Sequence, residues 1–204
     1  PNDTLIPTAG RGSCSFIGTM TRSPQAVPWA PGHQPLYGLI THSSCGGLFP
    51  NMLKRAGIDH LIVDGKADAP VRILVSEGKV EVLSAEDDLF EHRGGRKVIR
   101  QASAITDFLT KKYPGSSTVC LGPGGWNKVA FACLTADHHR NFGRGGAGAV
   151  FGSKNLVAVT AFGREPVSYY DRDKFQKLGK ELDAQVKSHA SDPAKTASFR
   201  PITG

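Results

Sequence analysis

The chain has 204 residues, 39% of them hydrophobic, enough to bury a sizeable core in one large domain or two small ones. Lysine and arginine total 25 against 18 aspartates and glutamates, giving a net charge of +7 and a pI near 9.4. There is no aromatic-basic RNA signature, zinc-knuckle spacing, basic helix, bilayer-length apolar run or signal peptide, so the charge reads as a basic surface facing another part of the protein or an acidic partner, and a cytoplasmic protein without a membrane span or nucleic-acid partner is expected.

Short apolar runs flanked by glycine predict strands at Ser15 to Met20, His60 to Val63, Val71 to Val75, Val80 to Leu83, Thr118 to Leu121, Val129 to Cys133 and Leu156 to Phe162. A hairpin is read over Ile73 to Val82, turning at Glu77-Gly78. Helices are predicted at Pro50 to Ala56, at Gly94 to Tyr113 on the spacing of Val98, Ile99, Ala102, Ile105, Phe108 and Leu109, and at Asp171 to Ser188 on Phe175, Leu178, Leu182 and Val186. After Ala190 the polar, turn-rich SDPAKTASFRPITG reads as a loop leading onward.

The four cysteines, Cys14, Cys45, Cys120 and Cys133, are far apart and form neither a C-x-x-C pair nor iron–sulfur or zinc spacing, so buried, reduced thiols are expected. His138 and His139 are adjacent and would point apart on a strand or a helix, which argues against a metal held directly by that segment.

The run from Asp137 to Leu156, DHHRNFGRGGAGAVFGSKNL, carries the strongest chemical signal. Arg140 and Arg144 each offer a planar fork of donors to a phosphate, while Gly143, Gly145, Gly146 and Gly148 let backbone N–H groups approach the same oxygens. Two other uses remain open at this level: Arg144 as a helix cap or partner of Asp137, and the glycines as a packing contact. There is also an internal echo. Gly46-Gly47 is followed by a helix-like piece and IDHLIVDG, and Gly145-Gly146 by AGAVFGSKN and LVAVTAFG; each pair is preceded by a glycine-rich turn and a strand. Duplication around a pseudo-two-fold axis is the economical reading, with both glycine pairs facing one ligand.

Three segments, in order, resemble the aldehyde:ferredoxin oxidoreductase family of tungsten-pterin enzymes. They are SSCGGLFPNMLKRAGIDHLIVDGKADAPV (Ser43 to Val71), LGPGGWNKVAFACLTAD (Leu121 to Asp137) and HRNFGRGGAGAVFGSKNLVAV. The resemblance covers most of the chain from Arg11 to Gly163. It implies an α+β fold of two similar β-rich units related by internal duplication with a few flanking helices, a pterin-binding N-terminal domain over 1–165, and a helix and loop over 166–204 leading toward a further domain.

By the same resemblance, the cofactor is a tungsten- or molybdenum-bis-pyranopterin with magnesium bridging its phosphates, the metal being held by dithiolene sulfurs, soft ligands that spare the protein's cysteines. The implied binding residues are Arg11, Ser44, Cys45, Gly46, Gly47, Arg140, Asn141, Phe142, Gly143, Arg144 and Gly145, with Ser44 and Asn141 at the magnesium, Asn141 through its backbone carbonyl. Ser44 stands where the family usually has asparagine, so a shorter hydroxyl must reach the ion or leave the place to water. Trp126, where the family has a carboxylate or amide, is left between the pterin and the core. Pro1 to Ile6 runs directly into PTAGRG without the family's intervening strand, and Gln25 to Pro35 reads as an insertion.

The implied reaction of the whole protein is oxidation of aldehydes to carboxylic acids, with electrons passing through a 4Fe–4S cluster, its ligands outside this chain, to ferredoxin or a related subunit. Reduction of an aromatic acyl-CoA ring on the same scaffold, and a non-catalytic anion-binding module, are the alternatives. The remaining domains of the enzyme and a second copy of the chain complete the expected partners.

Overall fold

The computed structural model describes residues 11–17, 40–166 and 169–191. The expected insertion at Gln25 to Pro35, the PTAGRG junction, residues 18–20 of the first predicted strand and the tail after residue 191 lie outside them. The fold is α+β. A mixed six-stranded sheet runs β4 (Lys79–Ser84), β3 (Val71–Ser76), β10 (Leu156–Phe162), β7 (Ser117–Cys120), β8 (Leu134–Ala136) and β9 (Arg140–Phe142). Only β3 and β10 pair in parallel; the other neighbours are antiparallel.

β10 is the spine because LVAVTAF is apolar at nearly every position, as a strand covered on both faces must be. One core cluster takes Val157 and Ala158 together with Ile105 and Leu109 of α2 (Ala102–Lys112), while the other takes Leu156, Val159 and Ala161, with Phe49, Met52 and Leu53 of α1 (Phe49–Arg55) packed against it. The β3–β4 hairpin turns as expected, with Glu77 at φ 50° and Gly78 at φ 75°, the pair of left-handed residues that a two-residue turn requires.

Three expectations are corrected. The helix predicted from Gly94 begins only at Ala102. Val98 and Ile99 belong to β6 (Arg96–Ile99), paired with β5 (Phe90–Arg93) through a turn at Gly94 and Gly95, whose φ values are 55° and 76°. A Gly-Gly between alternating residues makes a hairpin, and the helical spacing of two apolar residues there was coincidental. The strand predicted at His60 to Val63 is absent, since β3 fills the parallel place beside β10. The chain just after it is tied down by side chains of the turn before β10: Lys154 donates to the Gly65 carbonyl at 2.9 Å and Asn155 to that of Ala67 at 2.7 Å. The strand predicted at Val129 to Cys133 is a turn closed by Ala132 N–H donating to the Val129 carbonyl, and β8 starts at Leu134.

The loss of the His60 to Val63 strand bears on the duplication. After Gly46-Gly47 comes α1 and then irregular chain, whereas after Gly145-Gly146 come α4 (Ala147–Ser153) and β10. The described residues do not confirm an internal repeat. β1 (Arg11–Ile17) and β2 (Ile40–Gly46) form their own antiparallel pair, and β2 lies against β9 at the edge of the main sheet. α5 (Arg172–Ser191) starts where Asp171 accepts the Lys174 N–H at 2.9 Å, a side-chain N-cap. None of the described helices is long and apolar enough to cross a membrane.

Candidate functional site

The two glycine–arginine segments meet where β2 lies against β9. Along β2, side chains alternate: Ser43 and Cys45 are buried, while His42 and Ser44 are exposed. The inward Ser43 hydroxyl accepts the backbone N–H of Arg144 at 3.2 Å, a bond spanning 101 residues of sequence. One step on, Gly47 takes φ 112°, a conformation open to glycine, and a Cβ there would stand 3.2 Å from Cγ of Arg140 and 3.9 Å from the Asp137 carboxylate. The β1–β2 register sets Arg11 opposite Gly46 and Gly12 opposite Cys45, so the first-unit arginine position also borders this junction.

The structure therefore brings the sequence-predicted residues to one place, though not all through their side chains. Arg140 and Arg144 are exposed, and among the described residues neither guanidinium has an ion-pair or hydrogen-bond partner. The pairing of Arg144 with Asp137 that the sequence allowed does not form; the Asp137 carboxylate instead accepts the Thr118 N–H at 3.0 Å and the Ser117 hydroxyl at 2.5 Å. Gly143 has open space where a side chain would be, and Gly145 and Gly146 take φ 75° and 79°. Ser44 is exposed. Cys45 and Phe142 are core residues, 3% and 5% exposed, so they can offer a ligand only their backbone. The side-chain oxygen of Asn141 already accepts the Thr135 hydroxyl at 3.1 Å.

Gly148 is a correction. Its N–H donates to the Ala132 carbonyl, and a side chain on it would overlap the Cys133 carbonyl. With Gly152 one turn later, whose Cβ would overlap the Gly125 carbonyl, it forms the face on which α4 meets α3 (Pro123–Trp126). These two glycines serve packing; Gly143, Gly145 and Gly146 remain at the junction. Trp126 packs edge-on against Phe90, ring centroids 5.1 Å apart. His138 reaches away to Asp107 of α2, at 3.3 Å. The expectation of buried thiols holds for Cys45 and Cys120, but Cys133 is exposed. Sequence reading missed Ser43; the in-out alternation along HSSCG was its signal.

Chemically, the junction offers unengaged guanidinium groups, exposed glycine backbone and a hydroxyl at Ser44, a donor set suited to phosphate oxygens. Among the described residues no three His, Cys, Asp or Glu side chains gather as metal ligands. Among the described residues the geometry suits the phosphate end of a cofactor and offers no side-chain ligand set for its metal.

A family model described as the N-terminal domain of aldehyde ferredoxin oxidoreductase matches residues 3–163. The tungsten-containing aldehyde ferredoxin oxidoreductase of Pyrococcus furiosus is 39% identical over 162 residues, 78% of this chain and 25% of that protein. Its counterpart from Thermococcus kodakarensis is 35% identical over 181 residues, 87% of this chain and 26% of that one. A WOR-like subunit of aliphatic sulfonate oxidoreductase, also from Pyrococcus furiosus, is 34% identical over 138 residues, 64% of this chain and 22% of the relative. Among solved structures, the active-site complex of benzoyl coenzyme A reductase with 1,5-dienoyl-CoA superposes with a TM-score of 0.72 at 24% identity, over 92% of this chain and 25% of that one, a likeness of fold. The chain thus spans about a quarter of the length of the curated relatives it matches.

Proposed function

The chain belongs to the aldehyde ferredoxin oxidoreductase family, residues 3–163 being its N-terminal domain, and on that premise we propose that it holds the phosphate end of a tungsten- or molybdenum-bis-pyranopterin. The observation that carries this reading is the meeting of Gly47 with Arg140, and of Ser43 with Arg144, at a surface where both guanidinium groups are free among the described residues. In this reading Arg140 and Arg144 grip phosphate oxygens, Gly143 and Gly145 present backbone N–H groups, and Arg11 is a third phosphate-binding arginine. The Ser44 hydroxyl and the Asn141 backbone carbonyl would help hold a hydrated magnesium ion, which would offset phosphate charge, with Cys45, Gly46, Gly47 and Phe142 contributing backbone only. The binding domain extends over 1–165, and 166–204 leads toward the rest of the enzyme.

When bound, the tungsten or molybdenum centre supplies a two-electron redox couple. For the whole protein we infer oxidation of an aldehyde: aldehyde and water give the carboxylic acid, two protons and two electrons. A 4Fe–4S cluster, with ligands outside this chain, would carry the electrons toward ferredoxin, and we infer the cytoplasm as the compartment. Support for aldehydes comes from relatives of 35–39% identity that carry that activity in their names, against 34% over a shorter span for the sulfonate enzyme. Ring reduction of an aromatic acyl-CoA has fold likeness alone behind it.

The test is metal and pterin analysis of the full-length protein purified without oxygen from its native host, followed by aldehydes, sulfonates and aryl-CoA esters assayed with ferredoxin. A fixed metal-to-pterin ratio with aldehyde turnover is expected. Protein free of both metal and pterin would point to the anion-binding module instead.

A further inference from the structure

Asp137 presents a puzzle at this junction. A carboxylate lies beside the surface proposed to hold phosphates, its Oδ2 standing 3.9 Å from where a Cβ of Gly47 would be. Left unengaged, a negative charge there would oppose an anionic ligand. It is not unengaged. The β7–β8 ladder ends with Val119 opposite Ala136, and Asp137 carries the connection further: its N–H donates to the Thr118 carbonyl at 3.1 Å, and its carboxylate accepts the Thr118 N–H and the Ser117 hydroxyl. Ser117 and Thr118 are fully buried.

The turn so anchored is an unusual one. Asp137 and His138 both take left-handed conformations, φ 47° and 72°, without either being glycine. Two such residues in succession are disfavoured and persist only where the surroundings hold them. The turn delivers the chain directly into β9, whose first residue is Arg140. That strand is three residues long and lies at the sheet edge, so its own ladder fixes Arg140 weakly.

We propose that Asp137 is the positioning residue for Arg140: its carboxylate, bonded to Ser117 and Thr118, locks the left-handed turn and so holds the Arg140 stem against Gly47. This rests on the phosphate-cradle reading above. It assigns the carboxylate to geometry; its negative charge is not required. Asparagine can keep that geometry, because its carbonyl accepts from Thr118, its amide donates to the Ser117 oxygen, and it tolerates left-handed backbone.

The test uses the full-length protein with Asp137→Ala and Asp137→Asn, each combined with native Arg140 and with Arg140→Ala. Pterin per protomer is measured after gel filtration, and amide exchange is followed over residues 134–142 in cofactor-free protein. Asp137→Ala is expected to lower pterin retention about tenfold with Arg140 present and to add nothing in the Arg140→Ala background, while Asp137→Asn stays within about twofold of wild type. Equal retention in Asp137→Ala and wild type overturns the proposal. So does a further loss in the Arg140→Ala background, which would mark general damage to the fold.

Should Asp137→Ala fail to fold, Ser117→Ala decides: about threefold loss with Arg140 and none without it is expected, and no change in either background overturns the proposal. If wild-type protein proves to hold no pterin, the cradle reading fails by itself. Exchange then judges Asp137, with faster exchange at Arg140 in Asp137→Ala but not in Asp137→Asn expected, and unchanged exchange overturning it.

Discussion

The backbone of Gly47 packs on the aliphatic stem of Arg140, close enough that a Cβ on the glycine would stand 3.2 Å from the arginine Cγ. Gly47→Ala therefore meets two obstacles, a φ of 112° that a side chain disfavours and a stem that must move. The strain is of order 1–3 kcal/mol. We expect a lower urea midpoint and reduced pterin retention in the full-length protein. Gly143→Ala is the control, since its side chain would enter open space, and its midpoint should match wild type. A Gly47→Ala protein with unchanged midpoint and pterin would mean that the contact constrains nothing.

Arg140→Ala and Arg144→Ala should each weaken cofactor retention, whereas His138→Ala should not, because His138 points to Asp107 of α2. A charge-assisted bond to phosphate contributes about 1.5–3 kcal/mol, so a loss of about tenfold or more is expected from each arginine. Pterin content after dialysis reads it. Equal content in wild type and both arginine variants would remove these residues from the site.

Much of the junction was legible because its residue types are chemically specialised: paired arginines among glycines have few other uses, and a run such as LVAVTAF has few places except a sheet interior. What escaped is set by tertiary contact. Gly148 and Gly145 look alike in sequence, yet one meets the Cys133 carbonyl and the other turns the chain at φ 75°. Val98 and Ile99 fit a helix by spacing, but the Phe90 to Ile99 cross-strand pair buries both of its members in a hairpin. The run at His60 to Val63 has strand composition, but β3 already holds the parallel place beside β10.

Away from the junction, Arg72 is a buried cation, its side chain 6% exposed, donating to Tyr113 at 2.9 Å and to Asp88 at 3.1 Å. Asp88 also accepts from Lys112 at 2.8 Å. That bond first, then the charges of Lys112 and Arg72, hold the Asp88 carboxyl below its ordinary value in spite of burial. A depressed folded-state value means that the stabilisation is present above the unfolded value near 3.9 and is lost as pH falls through the lower folded one. Asp88→Asn should thus destabilise at pH 7 by about 1–3 kcal/mol, leaving a buried guanidinium without its counter-charge. The gap from wild type should close below about pH 4. A gap independent of pH, measured by urea unfolding, would assign the effect to packing.

The last prediction separates two thiols on either side of one glycine turn. Cys120, on β7, is fully buried against Thr106, and burial pushes its thiol up to about 12. Cys133 is exposed on the loop before β8. Thiolate is the reactive form, so native protein at pH 8 treated with a thiol reagent and mapped by mass spectrometry should carry label on Cys133 within minutes and on Cys120 only after unfolding. The raised value also has a thermodynamic consequence. With the folded thiol near 12 and the unfolded one near 8.5, the stabilisation is complete below the unfolded value and erodes as pH climbs toward the folded one. Wild type should therefore lose stability between about pH 9 and 11 relative to Cys120→Ala, whose folding releases or takes up no proton at this position. Labelling of Cys120 as fast as Cys133 in native protein, or parallel stability profiles for wild type and Cys120→Ala across that range, would contradict the burial of this thiol between α2 and the sheet.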